Sequence, residues 1–432
     1  MGRIRLQKAL LLALIGLTTV FPFTFVRFNE PSAALQTYKA LAKAGALCGT
    51  MLLVWQFFLG FRQVAGKFTR DLLWALGLHK RVGRYALFLI VLHPAFITLY
   101  YLEKKGFNPL SLQGGWPFWG FALLGHIALA LLILIVVTSV FLRGRMQVRT
   151  WYLLHLTAYL ALPFVMVHST AIGMTVTGTA LGTFWRALGS VLAAFYLFRI
   201  LCWLGLLSKR HVVSEVESVG PNVVKITAEP LGRRVAPELG QFVYWRRGMW
   251  GPTRPFTVSH YDPEDGKIRI TVKALGKATT EFQSTQPGET VYIDGPYGVF
   301  SRAALKGNRP IVMIAGGIGI TPFVRLFEEL AYEPDRELHL FYGNKRTNEI
   351  VYEEELCNVE TISVTHVISH DPHYPGETGL ITVELLRKRL ERDLADYEFL
   401  ICGPPVMTVK LETALSDEGV PRAQIHHELF SY

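Results

Sequence analysis

Four histidines, His79, His93, His155 and His168, fall as two pairs inside long apolar stretches, 14 positions apart in the first pair and 13 in the second. A helix rises about 1.5 Å per residue, so each pair spans roughly 20 Å. That places one imidazole near each face of a hydrocarbon core about 30 Å thick. Two such helices side by side present two stacked bis-histidine sites, the ligand set of two b-type haems in series. Neutral imidazole on both sides gives six-coordinate iron suited to electron transfer. A single buried histidine is commonly only a hydrogen-bonded core residue. Four at matched spacing, in segments where ionisable groups are costly, point to function. His126 has no partner at either spacing and reads as a core histidine.

The elements that must position these residues are membrane helices. Of 432 residues, 50% are hydrophobic and 18% charged, and nearly all the long apolar runs precede residue 208. Six can be drawn, over residues 9–27, 37–61, 71–101, 117–142, 150–170 and 180–207. The net charge of +10 is not a nucleic-acid signature, because the basic residues of this half sit in short clusters between apolar runs. Arg3, Arg5 and Lys8 precede the first run, Arg62, Lys67 and Arg70 follow the second, Arg143, Arg145 and Arg149 follow the fourth, and Lys209 and Arg210 follow the sixth. All four clusters fall on one side, which the positive-inside rule makes cytoplasmic. The first run lacks a small-residue cleavage site and reads as a span rather than a signal peptide.

With that orientation the third and fifth spans run in the same direction. His79 therefore pairs with His155 at an inner level, and His93 with His168 at an outer one. At about 100° per residue a 14-residue step leaves two side chains about 40° apart, whereas a 13-residue step leaves them about 140° apart. The fifth span must be bent or bulged between its ligands, and Pro163 is the expected cause. Four scattered cysteines, Cys48, Cys202, Cys357 and Cys402, form no CxxC pair and indicate neither a zinc site nor a disulfide framework.

Beyond Arg210 the texture changes to short alternating segments, among them 223–228, 241–245 and 267–272, which read as strands of a small antiparallel barrel. Within it lies Arg254, Pro255, Phe256, Thr257, Val258, Ser259. A guanidinium, an aromatic face and hydroxyls on one strand suit a phosphate, a flat ring and its polar edge. Lys273 to Thr280 runs from a strand into a helix start around Gly276 and Thr279, where free amides favour a pyrophosphate. An ordinary cap by Thr279 or Thr280 has the same signature.

Next, the apolar strand 310–315 is followed by Gly316, Gly317, Ile318, Gly319, Ile320, Thr321 and Pro322 and an amphipathic helix. This is not GxGxxG, yet glycine permits close backbone approach to a phosphate and proline suits the first helical turn. Strands at 338–342, 363–368 and 397–401 alternate with helices, predicting a parallel α/β sheet. The last leads into Cys402, Gly403 and Pro404 at a strand's carboxyl end, where such sheets bind ligands. After the strand ending at Tyr342 come Gly343, Asn344, Lys345 and Arg346 with no acidic residue for a ribose diol. Cations there suit a 2′-phosphate, which favours NADPH and leaves NADH open.

Taken together, the histidine pairs, RPFTVS at 254–259, GGIGITPF at 316–323, CGPPVM at 402–407 and the aromatic C-terminus resemble the ferric reductase and NADPH oxidase superfamily over about 400 residues. Bacterial members look closest in layout. The resemblance implies a multidomain membrane protein with a six-helix transmembrane haem bundle (1–207), an antiparallel β-barrel FAD domain (208–305) and an α/β parallel-sheet NAD(P)H domain (306–432) of ferredoxin-NADP reductase type. It further implies cofactors of two haem b, FAD and NADPH. Arg254, Pro255, Phe256, Thr257, Ser259, Lys273, Gly276 and Thr279 would bind FAD. Gly316, Gly317, Gly319, Thr321, Pro322, Lys345 and Arg346 would bind the nicotinamide cofactor, with Cys402, Gly403 and Pro404 beside the nicotinamide. Phe430 or Tyr432 would stack on the flavin. The protein would sit in a bacterial inner membrane with its reductase domains cytoplasmic and pass electrons outward, to oxygen giving superoxide or to a ferric chelate. A scaffold or transporter carrying a degenerate reductase module is the non-enzyme alternative.

Overall fold

In a computed structural model of the chain, the structure describes residues 2–111, 115–249, 251–302, 305, 307–330, 336–357, 359 and 361–429. The chain divides into two compact units, Met1–Arg199 and Ile200–Tyr432.

The first unit is helical. Among the described residues six helices, Ile4–Phe25, Ala33–Leu59, Leu72–Lys105, Phe118–Phe141, Val148–Ile172 and Ala180–Trp203, are long and apolar enough to cross a membrane. Large apolar side chains such as Leu17, Phe88 and Phe141 point outward, the pattern of helices solvated by lipid. Local chemistry sets the ends of these spans. Ser32 caps the second by accepting from the Leu35 amide at 3.1 Å, and Asp71 caps the third by accepting from Trp74 at 3.0 Å. Gly106, at φ 62°, ends the third span in the left-handed conformation that glycine adopts without steric cost.

Two spans contain π-helical turns, Ala44–Cys48 in the second and Val137–Phe141 at the end of the fourth. The second span packs along the third and the fourth along the fifth, while the third and fifth scarcely touch. The fifth span is interrupted, as its 13-residue histidine step requires, but not at Pro163. The break falls at Thr157, between Val148–Leu156 and Ala158–Ile172. There the Thr157 amide and hydroxyl both donate to the Leu154 carbonyl, at 3.1 and 2.7 Å, tightening the turn. Pro163 sits inside the following helix. Its missing N–H deprives the Tyr159 carbonyl of a partner, and the Tyr196 hydroxyl donates to that carbonyl at 2.9 Å, so the helix continues.

The second unit opens with a closed antiparallel barrel of β1 (Lys209–Gly220), β2 (Val223–Pro230), β3 (Phe242–Arg247), β4 (Arg254–Tyr261), β5 (Ile268–Lys273) and β6 (Thr290–Tyr297), in the order β1-β2-β5-β4-β3-β6. Alternating residues such as Val224, Ile226, Val243, Trp245, Ile270 and Ile293 fill its interior. A parallel sheet follows, made of β7 (Ile311–Gly316), β8 (Leu338–Asn344), β9 (Ile362–Ile368), β10 (Glu377–Thr378), β11 (Glu398–Gly403) and β12 (Ile425–Leu429). Its order is β10-β9-β8-β7-β11-β12. The order reverses between β7 and β11, and such a switch point opens a crevice beyond the strands' carboxyl ends. β7 reads as an unbroken apolar run because both of its faces are buried.

Candidate functional site

The third and fifth spans approach one another through their histidines. The ring centres of His79 and His155 lie 6.0 Å apart, and those of His93 and His168 lie 6.3 Å apart. Two imidazole–metal bonds of about 2 Å each, plus ~1 Å from each ring centre to its nitrogen, sum to about 6 Å. Each pair is therefore spaced to hold one metal ion between its rings.

The ring orientations fit the same role. His79 Nδ1 donates to the Gln56 carbonyl at 3.1 Å, His93 Nδ1 to Ala42 at 3.2 Å, and His168 Nδ1 to Phe121 at 2.8 Å. A carbonyl can only accept, so the proton is fixed on Nδ1 and the Nε2 lone pair is left for a ligand. His155 Nδ1 lies 3.3 Å from the Ser139 hydroxyl, which accepts from Trp151 Nε1 at 3.1 Å, and Trp151 stacks on the His155 ring. Ser139 belongs to one π-helical turn; the other carries Gly45, which packs on the backbone of His93. A Cβ on Gly45 would lie 2.6 Å from the His93 amide, and one on Gly125 would lie 2.6 Å from His168 Nδ1. These glycines let the supporting helices close on the histidines.

Among the described residues no group of three or more metal-ligating side chains is present. Two-histidine sites suit a metal whose other ligands come from a planar macrocycle, as in haem. His126 also bonds a carbonyl through Nδ1, that of Ala122 in its own helix at 2.7 Å, and its buried Nε2 has no hydrogen-bond partner among the described residues.

In the second unit the sequence-predicted residues line the carboxyl edge of the sheet and one side of the barrel. On β4, Arg254 is exposed, and Phe256 packs edge-on against Phe282 at 5.0 Å. The Thr257 hydroxyl is buried without a partner among the described residues, which makes it the open donor on this strand. Ser259 is turned into the protein, where its hydroxyl donates to the Arg269 carbonyl at 3.2 Å. The stretch after Lys273 forms only a four-residue helix, Lys277–Thr280. Thr279 Oγ1 accepts from the amides of Leu275 and Gly276, at 2.9 and 3.1 Å, so its hydroxyl serves as a local cap.

At the switch point the glycines answer to packing. A Cβ on Gly316 would meet Pro404 at 2.7 Å, one on Gly319 would meet the Cys402 carbonyl at 2.3 Å, and one on Gly403 would meet Met407 at 2.5 Å. They allow the loops after β7 and β11 to close on one another. Gly317 adopts φ 53°, turning the chain into the helix that begins at Thr321 and Pro322; the Thr321 hydroxyl donates to the Ile318 carbonyl. Lys345 and Arg346 are exposed just beyond β8.

Cys402 is fully buried on β11, in register with Glu428 on β12. Burial, with the neighbouring Glu428 charge, pushes the Cys402 thiol well above its ordinary value. Burial likewise pushes the Glu428 carboxyl up to about 8. One Glu428 oxygen has no hydrogen-bond partner among the described residues. Burial thus holds both groups toward their neutral forms at the carboxyl end of the sheet. In the sequence Glu428 stands out only as a neighbour of Phe430, and no local pattern announces its burial. Phe430 and Tyr432 lie outside the described residues.

Comparison with known proteins follows this division. Residues 45–167 match the family described as ferric reductase like transmembrane component, and residues 313–412 match the oxidoreductase NAD-binding domain. NADH-cytochrome b5 reductase 2 of Meyerozyma guilliermondii is 30% identical over 207 residues, covering 45% of this chain and 67% of the relative. The electron transfer component of toluate 1,2-dioxygenase from Pseudomonas putida is 27% identical over 201 residues, covering 44% of this chain and 58% of that protein. Among solved structures, the CS-b5R domains of human Ncb5or align over 51% of this chain and 68% of that chain, at 23% identity and a TM-score of 0.47.

Proposed function

Because this chain belongs to the ferric reductase and NADPH oxidase superfamily, we propose that it carries electrons from cytoplasmic NADPH across the membrane to oxygen, releasing superoxide on the outer side. The observation that carries the reading is the pairing of His79 with His155 and of His93 with His168 at the spacing of a shared metal, with the proton fixed on Nδ1 in three of the four. When bound, FAD would accept a hydride and release single electrons, and two haems would relay them. Protein residues do the rest of the work. Gln56, Ala42, Phe121 and Ser139 orient the ligand rings; Arg254, Phe256 and Thr257 offer charge, surface and a donor to the flavin; Lys345 and Arg346 offer cations to a 2′-phosphate. Cys402 and Glu428 would stay neutral beside a bound nicotinamide, and Phe430 or Tyr432 would offer a ring to the flavin.

Sidedness follows from the basic clusters, since the sixth span ends just before Lys209 and Arg210. On the outer side Glu30, a carboxylate that could bind iron directly, is committed elsewhere. It pairs with Lys39 at 2.7 Å and Lys104 at 2.6 Å and accepts from Tyr100 at 2.9 Å. Those partners hold its carboxyl down to about 2. This favours oxygen. A second reading keeps the same electron path with an anionic ferric chelate as acceptor, favoured by the excess of lysine over carboxylate around Glu30.

NADPH oxidation by purified protein with oxygen as sole acceptor, superoxide being trapped, tests the choice against anaerobic ferric citrate. Superoxide formed in proportion to NADPH supports the oxidase. Ferric reduction that greatly outpaces oxygen consumption supports the second reading.

A further inference from the structure

One short segment ties the barrel to the parallel sheet. Past β8 and the exposed Lys345 and Arg346 lies a single 3-10 turn, Thr347–Glu349. The Glu349 carboxylate takes the Lys273 ammonium at 2.6 Å, with only 21% and 18% of these side chains exposed. Three residues further, Tyr352 is 6% exposed and adopts φ 68° although it is not glycine. That conformation persists only where its surroundings hold it. Here the Tyr352 hydroxyl bonds Thr271 on β5, and the Lys225 ammonium lies 4.6 Å from the ring centre. The Tyr342 hydroxyl accepts from the Val351 amide at 3.3 Å, fixing the segment to β8.

The consequence concerns Lys273, which stands where a dinucleotide pyrophosphate is expected and already has an anion on it. An ammonium has donors for two acceptors, but a phosphate brought beside a fixed carboxylate meets like-charge repulsion. The Glu349 carboxylate is set opposite Lys273 by its turn, in which the Arg346 carbonyl accepts from the Glu349 amide at 3.1 Å.

We propose that Glu349 is a positioning residue that serves as the internal counter-ion of Lys273 and yields it to the pyrophosphate of a bound dinucleotide. The proposal rests on the reading that this unit binds FAD and a nicotinamide dinucleotide.

The test uses full-length protein in detergent, with FAD titrated into flavin-stripped protein by fluorescence and NADP+ titrated into FAD-loaded protein by calorimetry. Glu349→Gln is expected to tighten one of the two by about two- to fivefold, the scale of a partly exposed ion pair, and the gain should shrink with added salt. Whichever titration responds identifies the dinucleotide that Lys273 serves. In a Lys273→Gln background the Glu349 substitution should change nothing. Unchanged or weakened binding of both dinucleotides by Glu349→Gln overturns the proposal, as does an equal gain in the Lys273→Gln background. Failure of the unsubstituted protein to bind either dinucleotide overturns the underlying reading and the proposal with it.

Discussion

His93 and His168 face each other at 6.3 Å between ring centres, and each is anchored through Nδ1 to a carbonyl on a different neighbouring helix, Ala42 for one and Phe121 for the other. The histidine-bearing third and fifth spans are thus held by backbone carbonyls of the second and fourth. Damage to those supports should be visible at the metal site.

Gly125 offers the cleanest lesion. A methyl group there would sit 2.6 Å from His168 Nδ1, whereas one on Gly77 meets nothing within 4 Å. Gly125→Ala should remove or loosen the outer haem, lowering haem per chain from about two towards one, while Gly77→Ala leaves it unchanged. Haem extraction and quantification on purified protein reads the difference.

The bond from Tyr196 to Tyr159 predicts a dependence on Pro163. Tyr196→Phe strips the Tyr159 carbonyl of that hydroxyl donor and should cost about 1 kcal/mol, read as a lower melting temperature in detergent. With alanine at position 163 the helix supplies its own amide to that carbonyl, so the same tyrosine substitution should cost much less. Equal losses in both backgrounds would show that the hydroxyl acts through some other contact.

Glu428 should make stability fall with rising pH. Its carboxyl is raised from 4.5 to about 8 in the folded protein. Above about pH 4.5 the unfolded chain ionises this group while the folded one does not, so unfolding gains from each pH step until the folded group also ionises near pH 8. Below the lower value both forms are protonated and the stability is fully present. Thermal unfolding of Glu428→Gln should be flatter across pH 5 to 8 than that of the unsubstituted protein, and parallel curves would exclude a buried neutral carboxyl.

Coenzyme preference should turn on the exposed pair after β8. Arg346→Glu is expected to raise KM for NADPH by about tenfold while leaving that for NADH little changed, because only the former carries a 2′-phosphate. Steady-state kinetics with both coenzymes separates this from general damage.

Much of this architecture is legible in the sequence because membrane helices and parallel strands announce themselves by uninterrupted apolar runs. All six spans and the pairing levels of the histidines follow from composition and charge alone. The 13-residue spacing also requires a bend in the fifth span, but it does not say where. Proline is the usual signal, and here a tyrosine 33 residues later satisfies the carbonyl that Pro163 orphans, while Thr157 makes the break. The supports of the ligand rings are invisible in the sequence for a different reason. Ala42, Gln56 and Phe121 act through backbone carbonyls, which every residue possesses. In the reductase unit, GGIGITPF reads as a phosphate cradle, and its spacing equally serves the packing of Gly316 and Gly319 against Cys402–Met407. The Lys273–Glu349 pair joins positions 76 residues apart, beyond the reach of local pattern.

Two haems held by the four histidines are the centre of the proposed electron path. Purified, folded protein should contain two low-spin b-type haems per chain, both reduced when NADPH is added without oxygen, and His93→Leu should retain one haem that NADPH still reduces. A folded, FAD-binding preparation that takes up no haem when haem is supplied would contradict it.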